Sequence, residues 1–160
     1  MTEKRTFLFD APDSAPIQIE IQTICDADLT VQYGHYTWRS AEALATYLAM
    51  NPSLLGCGTG LCGLVSALLG ASHVTFTDAD RSVEANLIRN AEVNKVTNYT
   101  FHELDWKDPC YKWKIDPFEV LLASDCLFDK GVYETFIRTA SFLLHTRPGS
   151  FMLTSVELRG

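Results

Sequence analysis

The sequence predicts an α/β protein whose parallel sheet is covered by helices on both faces. Two observations predict this class. Short apolar runs typical of strands alternate with longer segments whose apolar residues recur at helical spacing. A glycine-rich loop at residues 55–63 also separates one apolar run from a small-residue helical pattern. Such alternation is typical of parallel sheets, because each return to a parallel strand requires a crossover.

Composition narrows the class of protein. The 160 residues suffice for one domain with a real core, and the formal charge is −7. This charge disfavours nucleic acid as the main partner and favours a basic protein. No apolar run reaches the roughly 20 residues of a membrane helix, and no secretory signal is evident, so we expect a cytoplasmic or nuclear protein. Five scattered cysteines without a Cys-x-x-Cys predict neither disulfides nor a metal site: Cys25, Cys57, Cys62, Cys110 and Cys126.

The first third of the chain predicts a hairpin and a helix. Apolar alternation near residues 7–9 and 17–21 predicts a β-hairpin or two extended segments, an N-terminal β appendage over residues 1–32. Helical spacing predicts a helix over 41–48, capped by Ser40 or Thr37. The aromatic residues just before it either pack the helix onto the sheet or form the lip of a cleft.

The strand before the glycine loop is predicted to be short. The first helix is predicted to stop at Asn51-Pro52, and only residues 53–55 then precede the first glycine of the loop, Gly56. A buried strand normally has about five or six residues. After the loop, the predicted elements are a helix over 61–69, a strand over 73–77, a helix over 82–94, strands over 99–104 and 118–123, a helix over 132–144 and a strand over 151–156.

The glycine loop predicts a ligand-binding turn. Alternate glycines allow a sharp turn and let a ligand lie against the backbone, and a helix that follows at once directs its free N–H groups toward that ligand. Gly58, Gly60 and Gly63 also fit a dinucleotide-binding fingerprint, with Asp78 at the position of its ribose-binding acid. A nucleoside cradle, a dinucleotide site and a glycine-rich turn without a ligand all remain open at this point.

Polar residues follow three successive predicted strands. Ligands in open α/β sheets lie beyond the carboxyl ends of the strands. Asp78 suits the two hydroxyls of a ribose, Asp105 can accept from an exocyclic amine, and Trp106 can cover a base. Ser124 and Asp125 would lie nearest the reaction centre. A lone aspartate is often only a turn residue, but three polar strand ends beside a glycine loop together predict an adenosine-containing ligand.

Five segments of the chain match a known family: Tyr33–Trp38, Leu55–Gly63, Thr77–Asp78, Leu104–Trp106 and Ala123–Phe128. In these segments the sequence resembles the seven-strand, S-adenosylmethionine-dependent protein methyltransferases of the methyltransferase-like group, which carry an Asp-x-x-Tyr/Phe motif. The resemblance implies a Rossmann-like fold over residues 33–160, S-adenosyl-L-methionine as cofactor, and methylation of Arg or Lys side chains of a protein, with histones among the candidates.

The resemblance also assigns residues to the two sides of the site. Asp125 and Phe128 would face the acceptor side chain. The carboxylate can orient a guanidinium, or hold an amine while it loses its proton, and the phenyl ring supplies an apolar wall. The residues expected on the cofactor side are Trp38, Gly56, Cys57, Gly58, Gly60, Asp78, Asp105, Trp106 and Ser124.

Two departures from the family pattern predict an incomplete fold. Leu54 stands where the family has an acid before the first glycine, and most of the preceding strand is missing. The antiparallel strand pair that ends the family's sheet is also missing after residue 160. An inactive domain that binds a cofactor or a partner therefore remains the alternative to an active enzyme. A nicotinamide-dependent oxidoreductase is disfavoured, because neither a substrate domain nor a Tyr-x-x-x-Lys motif is present.

Overall fold

The computed structural model describes residues 2–10, 15–24, 37–50, 60–107, 117–127, 129–144 and 146–157. The strands are β1 (Thr2–Phe9), β2 (Ile17–Ile24), β3 (Val74–Asp78), β4 (Tyr99–Glu103), β5 (Val120–Ser124) and β6 (Phe151–Ser155). The helices are α1 (Arg39–Met50), α2 (Gly60–Leu68), α3 (Glu84–Val93) and α4 (Tyr133–Leu143). The predicted hairpin is confirmed, and so are the helices and strands after the glycine loop, with ends shifted by a residue or two.

Two parallel strand pairs, each a separate two-stranded sheet, are present in the described ranges. β3 pairs with β4 from Val74 opposite Tyr99, and β5 pairs with β6 from Val120 opposite Phe151. One helix separates the strands of each pair along the chain, α3 in the first and α4 in the second. The predicted α/β class with parallel strands is thus confirmed. Within the described ranges no ladder joins β3 to β5, and the short strand predicted at 53–55 lies outside those ranges.

Helix α2 is buried along most of its length, and Gly63 allows it to pack close to β3. All residues from 61 to 66 are buried. A Cβ built on Gly63 would lie 2.2 Å from the ring of Phe76 in β3, so the helix backbone rests directly on the strand. The Cys62 Sγ donates to the carbonyl of Ala41 at 3.4 Å, which joins α2 to α1. α2 is therefore the element around which the neighbouring elements pack.

Helix α1 begins two residues earlier than a cap at Ser40 requires. The carbonyl of Trp38 accepts from the N–H groups of Ala41 at 2.9 Å and Glu42 at 3.3 Å, so Trp38 occupies the N-cap position. Both predicted caps are wrong, because Ser40 lies inside the first turn, where it is buried, and Thr37 lies one residue before the N-cap. No helix of the described ranges is both long and apolar enough to cross a membrane.

The N-terminal hairpin buries one face against the helices. Phe7 pairs with Ile19 in the register, and both belong to the buried cluster that also contains residues of α1, α2 and β3. Alternation leaves Lys4, Thr6 and Leu8 exposed on the other face. The division of the chain at residue 32 stays a prediction.

Two asparagine side chains, Asn90 in α3 and Asn94 at its C-cap, pair with the backbone of β2. The Asn90 carboxamide accepts from the Gln22 N–H at 2.8 Å and donates to the Gln22 carbonyl at 3.3 Å. Asn94 makes the same pair with Glu20, at 2.8 and 2.6 Å. Four helical residues rise about 6 Å, close to the roughly 6.7 Å between alternate strand residues. Each carboxamide thus takes the place of a peptide group of a neighbouring strand.

We expect Gly63→Ala to lower the free energy of unfolding by about 1–3 kcal/mol, because the added methyl group overlaps the Phe76 ring. Gly60→Ala is the matched control in the same helix. Its Cβ meets only the Leu87 Cδ1, at an ordinary 3.7 Å. The control should be neutral or more stable by up to about 1 kcal/mol, because alanine favours helix. Equal urea midpoints for the two variants would contradict this account of the packing.

We expect Asn90→Ala and Asn94→Ala each to lower the free energy of unfolding by about 1–3 kcal/mol, because each removes two hydrogen bonds and leaves backbone groups of β2 without partners. Arg89→Ala, an exposed change on the same helix, should stay within about 0.5 kcal/mol of wild type. Urea unfolding and amide hydrogen exchange at Glu20 and Gln22 give the measurement. Wild-type protection of both amides in the double variant would show that the pairs contribute nothing.

Candidate active site

The carboxyl ends of the parallel strands carry the predicted polar residues. Asp78 is the last residue of β3, and its carbonyl accepts from the Leu104 N–H at 2.8 Å, which keeps the end of β4 beside it. Asp105 follows Leu104, and Asp125 directly follows β5. The structure thus places three of the predicted acids at the carboxyl ends of their strands.

The thiol of Cys126 connects the two strand pairs electrostatically. The pKa of Cys126 is raised from 9.0 to about 12. The main cause is burial of the thiol, followed by the negative charge of Asp78 and then by that of Asp125. Asp78 ends a strand of one pair and Asp125 follows a strand of the other, and both carboxylates disfavour the thiolate of Cys126. Their roles toward a ribose and toward an acceptor side chain stay predictions.

A tight turn fixes the Asp78 carboxylate. Its Oδ1 accepts from the Asp80 N–H at 2.9 Å, and the Asp80 carboxylate in turn accepts from the Ser82 N–H at 2.8 Å. Asp78 is only partly buried. A carboxylate can accept several hydrogen bonds, and the predicted contact of Asp78 with the hydroxyls of a ribose stays a prediction.

Asp105 and Trp106 have structural partners of their own. The Asp105 Oδ1 accepts from the Lys107 N–H at 2.9 Å, the turn contact that a lone aspartate commonly makes. The half-buried Trp106 ring meets Phe136 of α4 edge to face, with centroids 4.9 Å apart. These contacts hold both residues beyond the end of β4, and their roles toward a base stay predictions.

Ser124 ends β5 inside a cluster of three hydroxyl groups. Its side chain is 3 % exposed, and its Oγ lies 3.2 Å from the Oγ of Ser40 in α1. The Oγ of Ser155, the last residue of β6, lies 3.2 Å on another side. The hydroxyl of Ser124 is therefore engaged by protein groups, and its predicted contact with a cofactor stays a prediction.

Asp125 combines burial with a strained backbone. The residue is 6 % exposed, and its φ of 54° lies in the left-handed region that favours glycine. Such a conformation costs on the order of 1–3 kcal/mol and clusters at functional sites. Its N–H donates to the carbonyl of Ser155 at 2.8 Å, and its Oδ1 accepts from the Glu157 N–H at 3.3 Å. The end of β6 thus holds this acid in place.

The remaining predicted residues divide between described and undescribed positions. Trp38 is half-buried at the start of α1, and Gly60 is the first residue of α2. Gly56, Cys57, Gly58 and Phe128 lie outside the described residues. Cys62 and Cys126 are free thiols. No group of three or more His, Cys, Asp or Glu side chains in the described ranges is placed to hold a metal ion.

Sequence reasoning missed the end of the last strand. Ser155 pairs with Ser124 in the parallel register and, with Glu157, contacts Asp125. The available signal was the polar residue that ends the apolar run of β6. The same kind of signal, a polar residue after an apolar run, predicted the site residues Asp78, Asp105 and Ser124.

A family model described as lysine methyltransferase matches residues 19–159. The chain belongs to this family. A calmodulin-lysine N-methyltransferase of Arabidopsis thaliana is 32% identical, over 77% of this chain and 45% of its own length. The histone-arginine methyltransferase METTL23 of Rattus norvegicus is 28% identical, over 99% of this chain and 76% of its own. The predicted methyltransferase family is therefore confirmed.

Solved structures share the fold at low sequence identity. A Thermus thermophilus 16S rRNA N2 G1207 methyltransferase, RsmC, in complex with AdoMet and guanosine matches with a TM-score of 0.61 and 17% identity, over 94% of this chain and 41% of its own. The putative methylase HI0767 of Haemophilus influenzae matches with a TM-score of 0.54 and 20% identity, over 77% and 74%. Both support the methyltransferase fold of this family member.

The chain is shorter than the curated relatives that it matches. It spans about half of the plant protein and of the fission-yeast protein-lysine N-methyltransferase rrg1, 45% and 47% respectively. The alignment with rat METTL23 runs over 176 residues, longer than the 160-residue chain itself. The rat protein therefore has residues without a counterpart in this chain, as expected for an incomplete fold.

We expect Cys126 to make this family member less stable in alkali. The folded state binds the thiol proton more tightly than the unfolded chain, because the pKa rises from 9.0 to about 12. The contribution of Cys126 to the free energy of unfolding is therefore present in full below pH 9. It falls by up to about 1.4 kcal/mol per pH unit as the pH rises toward 12. Urea unfolding between pH 8 and about 10.5 should show a steeper fall for wild type than for Cys126→Ala.

Leu127→Ala is the control for this measurement, because it alters the neighbouring side chain and keeps the thiol. Its pH slope should equal that of the wild type. A Cys126→Ala slope equal to both would show that the thiol has an ordinary pKa in the folded protein.

Proposed function

We propose that this chain is an S-adenosylmethionine-dependent protein methyltransferase that modifies a lysine or arginine side chain. The observation that carries the proposal is the placement of Asp78 and Asp125 at the carboxyl ends of strands from two different parallel pairs. One acid is then available to the cofactor and the other to the acceptor. Membership of the lysine methyltransferase family supports this assignment.

The described residues fit such a cofactor. Asp78 is fixed at a strand end, partly exposed, with acceptor capacity suited to a ribose. Two carboxylates at this edge also favour a positive charge, such as that of a sulfonium. Trp38, Gly60, Asp105, Trp106 and Ser124 are the further candidates on this side. When bound, the cofactor supplies a methyl group on a positively charged sulfur to a nucleophilic nitrogen.

Asp125 is assigned to the acceptor. Transfer to nitrogen depends on alignment and on electrostatic stabilisation more than on covalent catalysis by the protein. A buried carboxylate can hold a cationic side chain by charge-assisted hydrogen bonds and orient its nitrogen. For lysine it can also take the proton that must leave before attack. Phe128 would form an apolar wall on this side.

The protein substrate is proposed to be basic. The chain carries a formal charge of −7, which attracts Lys/Arg-rich proteins over long range. Relatives named for calmodulin-lysine and for histone-arginine methylation leave both acceptor types open. A histone in the nucleus and a basic cytoplasmic protein are both suitable targets, and nucleic acid and membranes are not proposed as partners.

An inactive domain that binds cofactor or a partner is the second candidate. The observation that favours it is the alignment in which METTL23 has residues without a counterpart here. Transfer of radiolabelled methyl groups to a histone mixture and to a lysine-rich protein separates the two. Cofactor binding without transfer to either acceptor would favour the inactive domain.

We expect Asp125→Asn to keep its affinity for S-adenosylhomocysteine and to lose most methyl transfer.

We expect Asp78→Ala to weaken the affinity for S-adenosylhomocysteine tenfold or more, because hydrogen bonds to a charged group contribute about 1.5–3 kcal/mol each. Titration calorimetry and radiolabel transfer are the measurements. Glu119→Gln, an exposed acid at the opposite end of β5, is the control and should change neither quantity. Normal turnover in Asp125→Asn would remove Asp125 from the reaction.

A further inference from the structure

The hydroxyl of Ser155 joins three elements beside the site. Its Oγ donates to the carbonyl of Ser40 in α1 at 2.8 Å and lies 3.2 Å from the Oγ of Ser124 in β5. The Ser124 and Ser40 hydroxyls are themselves 3.2 Å apart. Ser40, Ser124 and Ser155 each have one hydroxyl proton to donate, so all three of these contacts can be hydrogen bonds at the same time. The cluster fixes the end of β6 against both α1 and β5.

The backbone of the same segment holds Asp125. The Ser155 carbonyl accepts from the Asp125 N–H at 2.8 Å, and the Glu157 N–H donates to the Asp125 Oδ1 at 3.3 Å. Asp125 has a left-handed φ of 54°, which is uncommon for a residue other than glycine. The end of β6 holds this residue at both its backbone and its carboxylate.

We propose that Ser155 is a positioning residue for Asp125: its side chain anchors the end of β6, and that end holds the carboxylate in its orientation. The role in turnover rests on the proposed function. Ser155 touches neither reacting atom and acts only through Asp125. Because Ser40 lies two residues after Trp38, the same hydroxyl also links the start of α1, on the cofactor side, to the acid on the acceptor side.

Matched substitutions separate a positioning role of the Ser155 hydroxyl from a general role in packing. The side chain of Thr154 is exposed on the same strand, so Thr154→Ala is a matched control for loss of a hydroxyl in β6. Ser155→Thr keeps the hydroxyl, and Ser155→Val has the same shape as threonine without it. The comparison of these two variants isolates the hydroxyl even if Ser155→Ala fails to fold.

The test has two readouts on the whole chain. Amide hydrogen exchange at Asp125, followed by NMR, reports whether the β6 end holds this residue, whatever the activity. Methyl transfer at saturating S-adenosylmethionine reports kcat, and titration with S-adenosylhomocysteine reports cofactor affinity. We expect Ser155→Ala and Ser155→Val to exchange the Asp125 amide at least about tenfold faster and to lose about ten- to hundredfold in kcat, with affinity little changed. Ser155→Thr and Thr154→Ala should match wild type in both.

Each outcome decides the question. Wild-type exchange at Asp125 in folded Ser155→Ala or Ser155→Val would overturn the proposal, and so would equal acceleration in Thr154→Ala or Ser155→Thr. If wild type transfers no methyl groups, the proposed function fails. The exchange rates then still decide whether Ser155 positions Asp125.

Discussion

The absence of a side chain at Gly63 is the constraint on which the packing of this protein depends. It lets α2 approach β3 until the helix backbone touches the ring of Phe76. From that depth α2 reaches α1 through Cys62 and lies beside Leu87 of α3. Since α2 is buried along most of its length, it cannot move without displacing these neighbours. β3 ends at Asp78, so the same contact also fixes one side of the candidate site.

The candidate site joins two strand pairs that share no ladder within the described ranges. Buried apolar side chains of both pairs, Phe76 and Leu122 among them, belong to one core cluster. At the strand ends, Asp78 and Asp125 both disfavour the thiolate of Cys126. The same two carboxylates favour a cation at this edge. The proposed reaction requires this property twice, for a sulfonium and for the side chain that receives the methyl group.

Sequence patterns predicted the class and most elements, because apolar periodicity reports which face of a helix or strand is buried. They also located Asp78 and Asp125, since the ends of parallel strands are visible as polar residues after apolar runs. They could not show that Ser40 faces two strands, that Ser155 contacts Asp125, or that Asn90 pairs with Gln22. Those contacts join residues far apart in the chain, and one sequence carries no signal for such distances.

The asparagine pairs of α3 also affect how the protein meets other molecules. An unpaired strand edge offers its N–H and C=O groups to any second chain, and edge-to-edge pairing of this kind leads to aggregation. In β2 the groups of Glu20 and Gln22 are already occupied by Asn94 and Asn90. A helix cannot extend a sheet, so the ladder ends at these two carboxamides. The hairpin is thereby protected against growth by strand addition along this edge.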